Sequence, residues 1–188
     1  MTIKQIDFRR KLKMTKFNVD VAHSNLGFEV KHMMISKVKG GFDSFTADIE
    51  GNPEDLTNAS IKFEIDVNSI NSNNADRDNH LKSADFFDAE QFPKITFVST
   101  DIKSEGDGEY KLTGDFTIKD VTKPVTFDVE YGGKGTNPWG VEVVAFEASG
   151  KINRKDFGLT WNAALETGGV LVGEDIKIKV ELELNPAQ

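Results

Sequence analysis

Arg77 and His80 stand one helical turn apart in RDNHLKSADFFDAEQFP, and both donate hydrogen bonds of the kind a carbonyl or phosphate oxygen accepts. Leu81 and Ala84 share their face by the i, i+3, i+4, i+7 rule, and Phe86 and Phe87 follow directly. A face that is half polar and half apolar suits the rim of a cavity, with Arg77, His80, Leu81, Phe86 and Phe87 as its candidate mouth. An equally available reading pairs Arg77 with Asp85 or another acid, so that it only pins the helix down. Catalysis finds less support. The chain has no GxSxG elbow, Walker loop or dinucleotide fingerprint, and its three histidines, His23, His32 and His80, lack metal spacing such as HExxH. Asp76-x-Asp78 resembles the start of a calcium loop, but the required glycine and terminal glutamate are missing. With no cysteine, disulfides and thiolate nucleophiles are excluded. The expectation is a binding protein rather than an enzyme, with no cofactor and no metal.

The element that must carry these donors is one short α-helix near residues 75–84. Asn74 is its N-cap, Asp76 and Asp78 favour its first turn, and Asp78 and Lys82 make an i, i+4 surface pair. Asp85-Phe86-Phe87-Asp88 ends it, and Pro93 blocks continuation into the next strand.

Everything around the helix alternates as β-strand. Leu26, Phe28, Val30 and His32 share one face, and Ile61, Phe63, Ile65 and Val67 another. Phe97 lies in the strand 94–103, and Tyr110, Leu112, Gly114, Phe116 and Ile118 form the next inward face. Val125, Phe127, Val129 and Tyr131 follow, then Val144, Phe146, Ala148, Gly150 and Ile152, and finally Ile176, Ile178, Val180 and Leu182. Between Val38 and Ile49 the parity slips beside Gly40-Gly41, which predicts a bulge or bend there. Segments 132–138 and 167–175 read as glycine-bearing loops, and Arg154 with Asp156 as a structural staple in a tight turn. The fold class is all-β: an antiparallel up-and-down barrel of about eight strands, built hairpin by hairpin, with a single helix.

Net charge of -8 argues against nucleic acid as a partner. Residues 1–13 carry Lys4, Arg9, Arg10, Lys11 and Lys13 against Asp7 alone, so residues 1–15 read as a basic, disordered leader and 16–188 as one domain. A tether to anionic lipid is the sharper reading of that cluster, and one short cluster binds only marginally. The leader lacks the apolar run of a secretory signal, and no stretch approaches a transmembrane span, so a cytoplasmic protein is expected.

Fourteen Phe against two Tyr and two Trp give an interior with few polar tips. Phe28, Val30, His32, Phe63, Ile65, Phe97, Leu112, Phe116, Phe127, Val129 and Phe146 are the candidate lining of an apolar tunnel. The same pattern equally supports a barrel filled by its own side chains. His32 reads more readily as a satisfied interior histidine than as a ligand contact. The Met33-Met34 lip is a candidate homodimer contact.

VDVAHSNLGFEVKHMMISKVKGGF, RDNHLKSADFFDAEQFPKITFVST, DVTKPVTFDV and INRKDFGLTWN, in that order, resemble the YceI family over roughly residues 16–184. The resemblance implies a lipocalin-like barrel whose tunnel binds an isoprenoid lipid, such as a polyprenyl chain or the tail of a quinone, for transport, storage or sequestration. It tips the balance from filled barrel to tunnel. The alternative is a filled-barrel stress or interaction module that acts through protein contacts. Many members of the family are exported, and this leader does not fit that pattern.

Overall fold

In β8 (Glu109–Ile118) Tyr110, Leu112, Gly114, Phe116 and Ile118 are all buried, while Glu109, Lys111 and Asp115 are exposed. That alternation repeats around a barrel, and a period of two residues fixes which side chains face its core. The computed structural model describes residues 14–188. Most of the predicted leader lies outside them, and Thr15 already belongs to the first strand.

Among the described residues the elements run β1 (Thr15–Val19), β2 (Asn25–His32), β3 (Ser36–Phe42), β4 (Phe45–Asn52), β5 (Asp55–Asp66), β6 (Ile70–Asn71) and α1 (Ala75–Lys82). They continue as β7 (Lys94–Gly106), β8, β9 (Val121–Thr136), β10 (Glu142–Asn153) and β11 (Val172–Pro186). Every pairing is antiparallel, and the ring β1-β4-β5-β7-β8-β9-β10-β11 closes through β1 and β11, with Phe17 opposite Pro186. This is a closed eight-stranded barrel with no edge along the ring.

The start of the chain departs from a simple hairpin order. β1 pairs with β4 and β11 rather than with β2, while β2 pairs with the first part of β11 and with β3. β1 and β2 therefore occupy one strand position in succession, and β4 and β3 do the same beside them. The parity slip has its cause here: the break falls at Asp43-Ser44, two residues past the glycine pair. The Asp43 amide donates to the Ser69 carbonyl at 3.1 Å and the Asp66 amide to the Ser44 carbonyl at 3.0 Å. Two of the predicted loops are shorter than expected. β9 runs on to Thr136 through a register shift opposite Ala145 and Phe146, and β11 begins at Val172.

The wall of β7 to β10 packs aromatic rings onto glycines. Phe97 meets Phe127 edge-on at 5.4 Å, and Phe116 meets Phe157 edge-on at 5.7 Å. A Cβ on Gly150 would lie 2.6 Å from Cδ1 of Phe127, and one on Gly114 would strike the Phe97 ring. These two positions are glycine because a ring lies where a side chain would start.

Candidate functional site

The barrel encloses an apolar cavity of about 150 Å³. Of the predicted lining, Phe28, Phe63, Ile65, Phe97, Leu112, Phe116, Phe127, Val129 and Phe146 stand on its wall. Val30 and His32 do not. They lie toward the far end of β2, opposite Ile176 and Val172 of β11, beyond the cavity. The lining also includes Leu26, Phe42, Ile49, Leu56, Ile61, Ile95 and, from β11, Ile178, Val180, Leu182 and Leu184. Most of these share the parity of residues already picked out, and strand alternation was the signal that could have added them. Phe42 was obscured by the break at Asp43-Ser44. Among the described residues the one charged residue at the wall, Glu147, is exposed. Such a wall favours a hydrocarbon guest and offers a polar group no partner.

One end of the barrel is covered by α1 and its flanking turns. Asn74 caps the helix, its side chain accepting from the Arg77 amide at 2.9 Å. Asp78 accepts from the amide and hydroxyl of Ser72 at 2.9 and 2.5 Å, in place of the expected pair with Lys82. Arg77 donates from Nε to the Ser72 hydroxyl and from Nη2 to the Ser72 carbonyl, both at 2.8 Å. Its guanidinium thus pins the helix to the β6 turn, through a serine rather than an acid. His80 contacts Asp85 at 2.8 Å and sets its ring edge-on to Phe86 and to Trp161, at 5.1 and 4.7 Å. None of Arg77, His80, Leu81, Phe86 and Phe87 reaches the cavity wall. Phe87 comes nearest, meeting Phe42 edge-on at 6.1 Å, while Phe42 meets Phe28 at 5.9 Å. The predicted mouth is therefore a cap, and Phe87-Phe42-Phe28 is the aromatic line that joins it to the cavity.

Arg154, 2% exposed, seals the loop beyond β10. It donates to the carbonyls of Gly173 (2.7 Å), Leu159 (2.6 Å), Trp161 (2.9 Å) and Val172 (3.3 Å). Asp156 is exposed and receives none of these bonds, so the staple is an arginine on four carbonyls and not an Arg–Asp pair. Burial lowers the Arg154 pKa, and nearby Glu174 partly opposes that.

Among the described residues no helix is long and apolar enough to cross a membrane. An up-and-down barrel with an apolar interior defines a lipocalin-like architecture. The chain belongs to the YceI-like domain family, whose profile matches residues 17–184. It is 46% identical over 173 residues to the UPF0312 protein SAS2572 of Staphylococcus aureus, covering 92% of this chain and 98% of that one. The crystal structure of Burkholderia cenocepacia BcnA superposes with a TM-score of 0.77 at 28% identity, over 88% of this chain and 99% of that one. A polyisoprenoid binding domain from Saccharophagus degradans, implicated in plant cell wall breakdown, has a TM-score of 0.67 over 92% of this chain and 99% of its own. At 12% identity that likeness is one of fold.

Proposed function

We propose that this protein is a non-catalytic binder that holds the apolar tail of an isoprenoid lipid, a polyprenyl chain or an isoprenoid quinone, inside the barrel. The observation that carries the reading is the cavity itself, lined by hydrocarbon side chains from nine strands and, among the described residues, free of inward polar groups. The polyisoprenoid-binding neighbour supports the same chemistry through its shared fold. Each methylene moved from water into such a wall contributes ~0.8 kcal/mol, opposed by the ordering of a flexible tail. Affinity should therefore be useful and discrimination of tail length weak.

The volume sharpens the proposal. An apolar cavity of about 150 Å³ takes a guest the size of benzene, so one isoprene unit fits without rearrangement. A longer tail enters as Phe28 and Phe42, both only half-buried, swing aside. The same small volume also favours a second reading, in which the barrel is essentially filled and the protein acts through its surface.

Native mass spectrometry of the freshly purified protein, followed by solvent extraction, separates the two. A discrete added mass that resolves to a polyprenyl or quinone species supports the carrier. An unmodified mass, with no uptake of offered quinone, supports the filled barrel. Phe116→Trp gives the complementary test: it should block uptake in a carrier while the fold survives, and mainly destabilise a filled barrel by overpacking. Normal lipid binding by that variant would remove Phe116 from the site.

A further inference from the structure

At the tip of the β2–β3 hairpin the chain turns through Met33 and Met34, with the Ile35 amide donating to the His32 carbonyl at 3.2 Å. Both methionines have positive φ, 52° and 64°, the geometry of a type I′ turn. Such turns favour Asn-Gly, because residues with long side chains are disfavoured at positive φ. The backbone of the turn therefore gains nothing from methionine here, and the side chains stay largely in water: Ile35 is 86% exposed, Met34 62% and Met33 43%. A second loop lies against the tip. The Met33 amide donates to the Leu171 carbonyl at 2.8 Å, a Cβ on Gly169 would strike the Met34 sulfur, and neighbouring Val170 is 40% exposed.

Charge surrounds this apolar point. Lys31 and Lys37 face each other across the two strands, a like-charge arrangement that disfavours the pair, although Lys37 reaches Glu29 at 3.1 Å. Glu166 is the acid of the adjoining loop. Apolar side chains at a projecting tip, with lysines two residues behind on both strands, match the layering of a bilayer surface, where hydrocarbon lies beneath phosphate. A second copy of the chain fits less well, because a stable dimer buries about 1,200–2,000 Å² and a turn tip offers four exposed side chains.

We propose that the Met33-Met34-Ile35 tip, with Val170 beside it, is a membrane-docking element that inserts into the interfacial region of a lipid bilayer, with Lys31 and Lys37 meeting the phosphates. It stands at the same end of the barrel as α1, so docking brings the capped end to the lipid. The inference does not depend on what the cavity holds, and its failure leaves the tail-binding reading untouched.

Co-sedimentation of the full chain with vesicles tests it, using phosphatidylcholine alone and phosphatidylcholine mixed with phosphatidylglycerol. The wild type should partition onto both and more strongly onto the mixture. Met33→Asn combined with Met34→Gly should cut the partition coefficient at least ten-fold, with a thermal midpoint no lower than wild type because the turn is relieved. Ile35→Ser, at a position with almost no packing to lose, should cut it several-fold and decides the matter if the double variant folds poorly. Wild type that stays in solution, or variants that partition like wild type, would overturn the proposal. So would a concentration-dependent wild-type dimer that the same variants abolish, which would make the tip a self-association surface.

Discussion

The β7–β10 wall and the end covered by α1 and the Arg154 loop both exclude water, and they do so by opposite chemistry. On the wall, Phe97, Phe116 and Phe127 are 5–7% exposed and lie among hydrocarbon, two of them on glycine. At the covered end, two guanidiniums do the closing: Arg154 on four carbonyls and Arg77 on both oxygens of Ser72. Packing tolerates modest exchange of volume, whereas a buried hydrogen-bond cluster loses several partners when one member goes. The wall is thus the more adaptable surface for a guest of variable shape, and the covered end is the more brittle.

That contrast breaks most visibly at Arg154. Arg154→Met should destabilise the fold by about 3–5 kcal/mol in chemical denaturation, since it leaves several buried carbonyls without a donor. If the loss were under about 1 kcal/mol, the covered end would not be held by this cluster. Gly114→Ala tests the wall: displacing the Phe97 ring should cost about 1–3 kcal/mol, and lipid uptake should fall with it. Ser72→Ala should cost about 1–2 kcal/mol and raise amide exchange selectively over Ala75–Lys82, because Arg77 and Asp78 both lose a partner.

The smallest effect lies outside both regions, at the β1–β2 junction. His23 contacts Asp20 at 2.7 Å, and that hydrogen bond raises the His23 pKa above its ordinary 6.5. The bond to His23 likewise lowers Asp20 below its ordinary 3.8. A raised histidine contributes stability that is fully present below about pH 6.5 and lost as pH rises through its folded value. The lowered Asp20 contributes above its ordinary value and loses that as pH falls through its folded one. NMR titration of Asp20→Asn should bring His23 back toward 6.5, and the pH dependence of stability near neutrality should flatten slightly. An unchanged His23 titration would show that the pair does not persist in solution.

Strand alternation made the barrel and most of the cavity wall legible, because a residue's facing depends only on its parity. Parity carries no information about where a cavity stops, and so Val30 and His32 share the facing of Phe28 although the wall ends before them. The helix was legible from Asn74 and the flanking acids, but the partners of its side chains were not. Arg77 and Asp78 meet at Ser72, a residue with no periodic or motif signal, and His80 rests on Trp161 from a distant loop. Likewise, nothing in INRKDFGL shows that Arg154 reaches Gly173 and Val172 of β11.

The pairing of β1 with β11 sets the order of assembly. Phe17 meets Pro186, and the Lys16 carbonyl accepts from the Ala187 amide at 2.8 Å, so the seam joins strands from opposite ends of the domain. During synthesis, β1, β2 and β10 each keep one side unpaired until β11 has been made. Contacts of such sequence separation make folding slow and leave sticky edges open meanwhile. Ring closure is accordingly the last of these pairings in chain order, and until β11 takes its place the edges it will cover can accept a strand from another copy.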